Sequence, residues 1–190
     1  MSPAPRLPAD LNLTVERALV EDIGTGDVTA MLVPPDQMAT ARIVSREAAV
    51  LCGQPWVNAV FRALDPTLVI RWAVSEGAAV EPDQVVCMLT GTARPLLTGE
   101  RTALNFLQTL SGTASAVRRY VDAVAGTGCR IVDTRKTLPG LRNAQKYAVV
   151  CGGGLNHRIG LYDGFLIKEN HITAAGGLRQ AIHNARALGC

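Results

Sequence analysis

Two adjacent cations close the segment RIVDTRKTLPG, where Arg135 and Lys136 follow the β-branched pair Ile131 and Val132. The apolar start reads as a buried strand and the end as a cationic turn. A second such segment, GFLIKEN, delivers Lys168 directly after Leu166 and Ile167. Parallel α/β sheets and barrels bind ligands at the carboxyl ends of their strands. Two strands ending in cations therefore place positive charge where such a fold keeps its active site. Lys136 also admits a plainer reading as a solvated loop lysine. Lys168 resists that reading, because lysine is rarely buried without a partner. Between them lies CGGGLNHRIG. Three glycines end a helix and let backbone approach a ligand, a weak phosphate signal by itself. His157 and Arg158 follow. Arginine binds carboxylate or phosphate through paired, charge-assisted hydrogen bonds of about 1.5–3 kcal/mol each. His157 is either a second anion donor or a core histidine, while His171 and His183 read as structural.

The charge balance supports an anion site. From Arg130 to Asn170 there are seven Lys or Arg against three acids, Asp133, Asp163 and Glu169. That window carries +4 of a net charge of +3, and it holds all three lysines of the 190 residues. A compact cationic patch suits a small anion. A general nucleic-acid binder is excluded, because no Lys/Arg run or aromatic platform accompanies it. The pocket of Arg135, Lys136, Arg158, Lys168 and His157 has no nucleophile–base pair. Its expected work is to bind a polyanion and stabilise developing charge, as in transfer of a phosphoryl-bearing group. The residues alone do not name the substrate.

The surrounding elements must position these side chains. Asp10 is expected to cap a helix through about Glu21, with Leu11, Val15, Ala18 and Leu19 on one face. ATARIVSREAAVLCG reads as a strand ending at Gly53, and QPWVNAVFRAL as a short helix with Pro55 in its first turn. TLVIRWAVSEGAAVEPDQVVCMLTG reads as two strands of a small sheet. A lipoyl- or biotinyl-carrier role for this stretch is excluded, since residues 1–135 hold no lysine. RPLLTGERTALNFLQTL, which contains Arg101, reads as a helix, and Ser111 as the cap of a second one closed by Gly126. Then follow a strand at 130–134, a helix at about 140–150, a strand at 164–168 and a helix at about 174–188 capped by Thr173. Alternating strands and helices point to a parallel α/β barrel or sheet. The domain boundary is expected near 126–129. The five cysteines, Cys52, Cys87, Cys129, Cys151 and Cys190, form no CxxC pair, so neither a zinc site nor a disulfide framework is expected. They read as mostly buried thiols of a reducing compartment. MSPAPRLPADLN has no apolar targeting region, and a soluble cytoplasmic protein without a membrane span is expected.

Residues 133–172, DTRKTLPGLRNAQKYAVVCGGGLNHRIGLYDGFLIKENHI, closely resemble the core of the quinolinate phosphoribosyltransferase family. EDIGTGDVTA, AVLCGQPW and GERTALNFLQTLSGTAS resemble its N-terminal part. The resemblance implies an α/β fold in which an α+β N-terminal sandwich (1–126) precedes an α/β barrel, here only its first two βα units (127–190). It implies a pentosyltransferase that joins quinolinate to phosphoribosyl pyrophosphate with Mg²⁺, giving nicotinate mononucleotide, CO₂ and pyrophosphate in NAD biosynthesis. It implies that Thr134, Arg135, Lys136, His157, Arg158 and Lys168 bind substrate, with Lys136 and Lys168 catalytic. It implies a homodimer, or a higher oligomer of dimers, to which Arg101 is lent across the interface. The acidic ribose and metal residues of the family's later strands are not in this chain. The 190 residues alone are therefore expected to be inactive. Two rivals stand beside this reading: a related phosphoribosyltransferase-like protein with another acceptor, and a non-catalytic homologue serving in binding or dimerisation.

Overall fold

The computed structural model describes residues 5–189. The Pro-rich start at 1–9 lies partly outside them, and Cys190 wholly so. The chain divides into two compact units, one through Asn156 and one from His157 onward.

In the first unit, helix α1 (Leu11–Ile23) buries Leu11, Val15 and Leu19, the stripe expected from their four-residue spacing. Asp10 does not cap it through its side chain. Its Oδ2 instead accepts from Asn143 Nδ2 at 2.9 Å, a partner 133 positions away that no local pattern announces. A 3₁₀ turn at Ala30–Leu32 precedes strand β1 (Met38–Val44).

The single strand expected up to Gly53 is two. A register shift at Ile43/Val44 ends β1, and the chain crosses to a second sheet as β2 (Ala49–Val50). Helix α2 (Gln54–Leu64) has the expected bounds and Pro55 in its first turn. Strands β3 (Val69–Trp72), β4 (Ala79–Val80) and β5 (Val85–Thr92) follow. The main sheet is antiparallel in the order β1-β5-β3, and β2 pairs with β4.

The two helices expected on either side of Ser111 are one helix of 31 residues, α3 (Ala93–Ala123). A serine caps a helix when its oxygen serves the orphan N–H groups at the start of its own helix. Ser111 Oγ is committed elsewhere: it accepts from Cys52 N–H at 2.9 Å and donates to Cys52 O at 3.1 Å. Ser115 Oγ accepts from Val50 N–H at 2.8 Å one turn later. The stripe Leu96, Ala103, Phe106, Leu107, Leu110 and Ala114 runs unbroken through the Ser-Gly pair and is buried. Gly99 lets α2 approach closely, since a Cβ there would stand 2.7 Å from Leu64 Cδ1 and 2.8 Å from Phe61 Cε1.

Helix α4 (Arg142–Cys151) joins the same core through Ala144, Tyr147, Ala148 and Cys151, and Tyr147 meets Trp56 edge-on at 5.1 Å. The strand expected at 130–134 is reduced to one parallel bridge, Val132 to Leu155. Val132, expected in the core, is 46% exposed.

In the second unit the strand expected at 164–168 is absent among the described residues. A parallel strand exists by its ladder, and none is laid down along this segment. The helix expected at 174–188 is two, α5 (Glu169–Ala174) and α6 (Leu178–Ala187), separated at Gly176 and Gly177 with φ of 84° and 124°. Thr173 lies inside α5 and its hydroxyl donates to Glu169 O at 3.0 Å, so it caps nothing. The class is therefore mixed α/β as expected.

Candidate active site

The cationic loop grows out of the Val132–Leu155 bridge. Leu155 N–H donates to Ile131 O at 2.9 Å, and Asp133 N–H to Leu155 O at 3.0 Å. Past this anchor the chain folds on itself. Lys136 N–H donates to Thr134 Oγ1 at 3.0 Å, and Thr137 N–H to Arg135 O at 3.1 Å. Leu138 N–H donates to Gln145 Oε1 at 2.7 Å, fastening the loop to α4. The turn thus brings Thr134, Arg135 and Lys136 together. Lys136 and Thr134 are exposed and Arg135 is half-buried. Arg135 Nε is shielded from solvent and has no hydrogen-bond acceptor. A buried unpaired guanidinium donor is costly, about 1–3 kcal/mol or more, and an anion in the loop would satisfy it.

The buried lysine of this chain is Lys146, not Lys168. Its Nζ lies 2.5 Å from Asp133 Oδ1, with side chains only 3% and 7% exposed. Asn156 takes the amide orientation that suits its neighbours. Its nitrogen then donates to Asp133 Oδ2 at 2.7 Å and to Lys146 O at 2.9 Å. The sequence reading counted Lys146 as a cation and missed this role. A signal was present: Lys146 stands among Ala144, Tyr147, Ala148 and Val149, where an unpaired ammonium does not belong.

The glycine run serves packing. A Cβ on Gly152 would stand 2.5 Å from Ala114 O and 2.8 Å from Val117 Cβ, and one on Gly154 2.8 Å from Val149 Cγ1. Gly153 holds φ at 94°. Arg118 Nε donates to Gly152 O at 3.0 Å, closing the end of α4 against α3. Arg101, also on α3, is exposed.

The second unit carries the remaining candidates. Arg158 Nη1 donates to Gly164 O at 2.9 Å. Asp163 binds the intervening turn by accepting from Ile159 N–H at 2.7 Å and Gly160 N–H at 2.9 Å. His157 is exposed, so it is not a core histidine. Lys168 is exposed at the start of α5, beside Leu166 at 43% exposure. His171 is exposed, and its Nδ1 accepts from Lys168 N–H at 3.1 Å at the start of α5.

Among the described residues one cluster could hold a metal: Cys52, Glu76 and Cys151, with ligand atoms within 4.8 Å of one another. It does not suit Mg²⁺, which takes oxygen ligands in octahedral array. Both Glu76 oxygens accept from the start of α2, from Gly53 N–H at 2.7 Å and Gln54 N–H at 3.0 Å. That end of the helix also repels cations. The Cys52 thiol stays protonated, since a hydrogen bond with Cys151 and burial push it far up. Burial pushes Cys87 up to about 11, against a smaller opposing effect of a backbone hydrogen bond from Ile43. Cys52, Cys87 and Cys151 are buried as expected, and Cys129 is exposed.

A half-buried guanidinium beside an exposed ammonium, in a loop of a mixed α/β chain, has the chemistry to take an anion. The family models sharpen this. Residues 27–111 match the quinolinate phosphoribosyl transferase N-terminal domain and residues 113–189 its C-terminal domain. The chain belongs to the quinolinate phosphoribosyl transferase family. It is 45% identical to a nicotinate-nucleotide pyrophosphorylase from Francisella tularensis, with a TM-score of 0.93 over 100% of this chain and 68% of that one. It is 38% identical to NadC from Streptococcus pyogenes, with a TM-score of 0.91 over 96% of this chain and 65% of that one. A Mycobacterium leprae protein named nicotinate-nucleotide pyrophosphorylase [carboxylating] is 43% identical over 181 residues, 92% of this chain and 63% of its own. The chain spans less than two thirds of the length of the curated relatives it matches.

Proposed function

We propose that the protein containing this chain transfers phosphoribosyl from phosphoribosyl pyrophosphate to quinolinate with loss of CO₂, yielding nicotinate mononucleotide and pyrophosphate. The observation that carries this reading is the unsatisfied, shielded Nε of Arg135 in the Thr134–Lys136 turn. It stands in a family whose relatives are named for the carboxylating pyrophosphorylase. Arg135, Lys136, Arg158 and Lys168 supply cations for two carboxylates and a pyrophosphate, and Thr134 and His157 supply further donors. Arg101 is proposed to reach the site of a second subunit in a homodimer or an oligomer of dimers. The proposed domain boundary stays at 126/127, at the end of the turn that follows α3.

In the proposed mechanism the pyridine nitrogen attacks the anomeric carbon, and the bond from that carbon to pyrophosphate breaks. As CO₂ departs, the electron pair of the C2–carboxylate bond stays on C2, where the adjacent pyridinium charge stabilises it, and a proton from solvent then bonds to C2. Lys136 and Lys168 hold the anions in line and neutralise charge as it develops. Mg²⁺ is proposed to arrive with the pyrophosphate donor. The described residues offer no carboxylate set that suits it. No helix among them is long and apolar enough to cross a membrane. A cytoplasmic location remains a proposal.

Calorimetry on the whole protein, with donor and metal absent, tests the acceptor. Nicotinate leaves one cation unpaired, so quinolinate should bind about tenfold more tightly or better, on the order of 1–3 kcal/mol. Arg158→Ala should weaken quinolinate more than nicotinate. Equal affinities for the two acids in the unmodified protein would overturn the dicarboxylate reading and favour another acceptor.

A further inference from the structure

We propose that Lys146, Asp133 and Asn156 form a positioning device for the candidate anion site. This rests on the function proposed above and assigns these residues a role through the neighbouring cations. Lys146 stands on α4, a helix fixed to the core by Tyr147 and Ala148. Its ammonium holds Asp133 Oδ1. The other oxygen of Asp133 takes the Asn156 amide, which also reaches Lys146 O. Asp133 and Leu155 are bonded through the parallel bridge. The device thus fixes two short segments, 131–133 and 155–156. In sequence the candidate cations follow each directly: Thr134, Arg135 and Lys136 after the first, His157 and Arg158 after the second.

A buried ion pair is a poor device for stability alone. Replacing such a pair with apolar residues of similar volume is often neutral or stabilising, whereas removing one partner strands a buried charge. What the pair supplies that apolar packing does not is direction. Both oxygens of Asp133 are held, Oδ1 by the Lys146 ammonium and Oδ2 by the Asn156 amide, so the carboxylate, and with it the start of the Thr134 turn, is fixed in orientation. A cation displaced by about 1 Å loses much of its effect in catalysis.

The experiment compares Lys146→Met, the double variant Asp133→Leu/Lys146→Met, and Lys146→Arg in the whole protein. Three readouts are taken: unfolding midpoint, amide exchange over residues 133–138, and quinolinate affinity with kcat and KM. Lys146→Met should unfold more easily. The double variant should recover the midpoint, yet exchange its 133–138 amides at least tenfold faster and bind quinolinate at least tenfold more weakly. Lys146→Arg should restore part of both. A double variant with unchanged exchange and affinity overturns the proposal, because the pair is then only packing. Should the double variant fail to fold, Asn156→Ala carries the same test, since it leaves the ion pair in place. Its unchanged exchange over 133–138 would likewise overturn the idea. If the unmodified protein binds no quinolinate, the functional reading fails, while the exchange measurement still decides the positioning claim.

Discussion

Replacing Gly152 by alanine separates two readings of the CGGG segment, packing and ligand cradle. Gly152 has φ −72° and ψ −7°, which alanine adopts without strain. Backbone entropy alone would favour the substitution by about 0.4–1 kcal/mol. The new methyl, however, would sit 2.5 Å from Ala114 O and 2.8 Å from Val117 Cβ. Both belong to α3 and neither is the free end of a flexible side chain. Reaching an ordinary C···O separation of about 3.3 Å needs the end of α4 to retreat by about 0.8 Å. Overpacking of that kind typically costs about 1–3 kcal/mol. Overpacking should win, with a net loss of about 1–2 kcal/mol. In a chain of this size that lowers Tm by about 2–8 °C. Denaturant unfolding of Gly152→Ala measures it, with Gly140→Ala as a control. Gly140 has φ of 77° and nothing within 4 Å of its Cβ position, so only backbone strain of about 1–2 kcal/mol acts there. The packing account is refuted if Gly152→Ala keeps full stability but loses affinity for pyrophosphate or quinolinate.

Other expectations are equally direct. Ser111→Ala strands the buried Cys52 N–H and should cost about 1–3 kcal/mol in urea unfolding, and a loss below 0.5 kcal/mol would show that water or relaxation replaces the hydroxyl. Asp27 is held below the ordinary carboxylate range chiefly by the Ala30 N–H, then by the Thr98 hydroxyl and the Thr29 N–H. Its contribution to stability is therefore complete above about pH 4 and lost as pH falls through the lower folded value, so Asp27→Asn should flatten the acid limb of a stability–pH curve. An unchanged acid limb would remove Asp27 from that account. In the folded chain iodoacetamide should modify Cys129 well before Cys52, Cys87 or Cys151, because only Cys129 of these four is exposed. Equal labelling by mass spectrometry would contradict their burial.

Features fixed by a few neighbouring residues were legible in the sequence. Helix α2 is one: Gly53 before it, Pro55 in its first turn, and apolar Trp56, Val57, Val60 and Phe61 along one face. The stripe of α1 is another. The cations at 135, 136, 158 and 168 were visible as charge, and the family as motif. What the sequence left open depends on partners far along the chain. Whether Ser111 begins a helix or sits inside one depends on Cys52, 59 positions earlier. Whether Asp10 caps α1 depends on Asn143. Gly152 of CGGG is explained by Val117 and Ala114 on α3, and Lys146 becomes a buried pair only because Asp133 is brought to α4. Spacing reports which face a residue shares and what charge it carries, because those follow from the helix and strand repeats. Which atom satisfies a buried donor, and which surface a missing side chain must clear, is set by packing between elements, and only the tertiary structure brings those atoms within hydrogen-bonding or van der Waals distance.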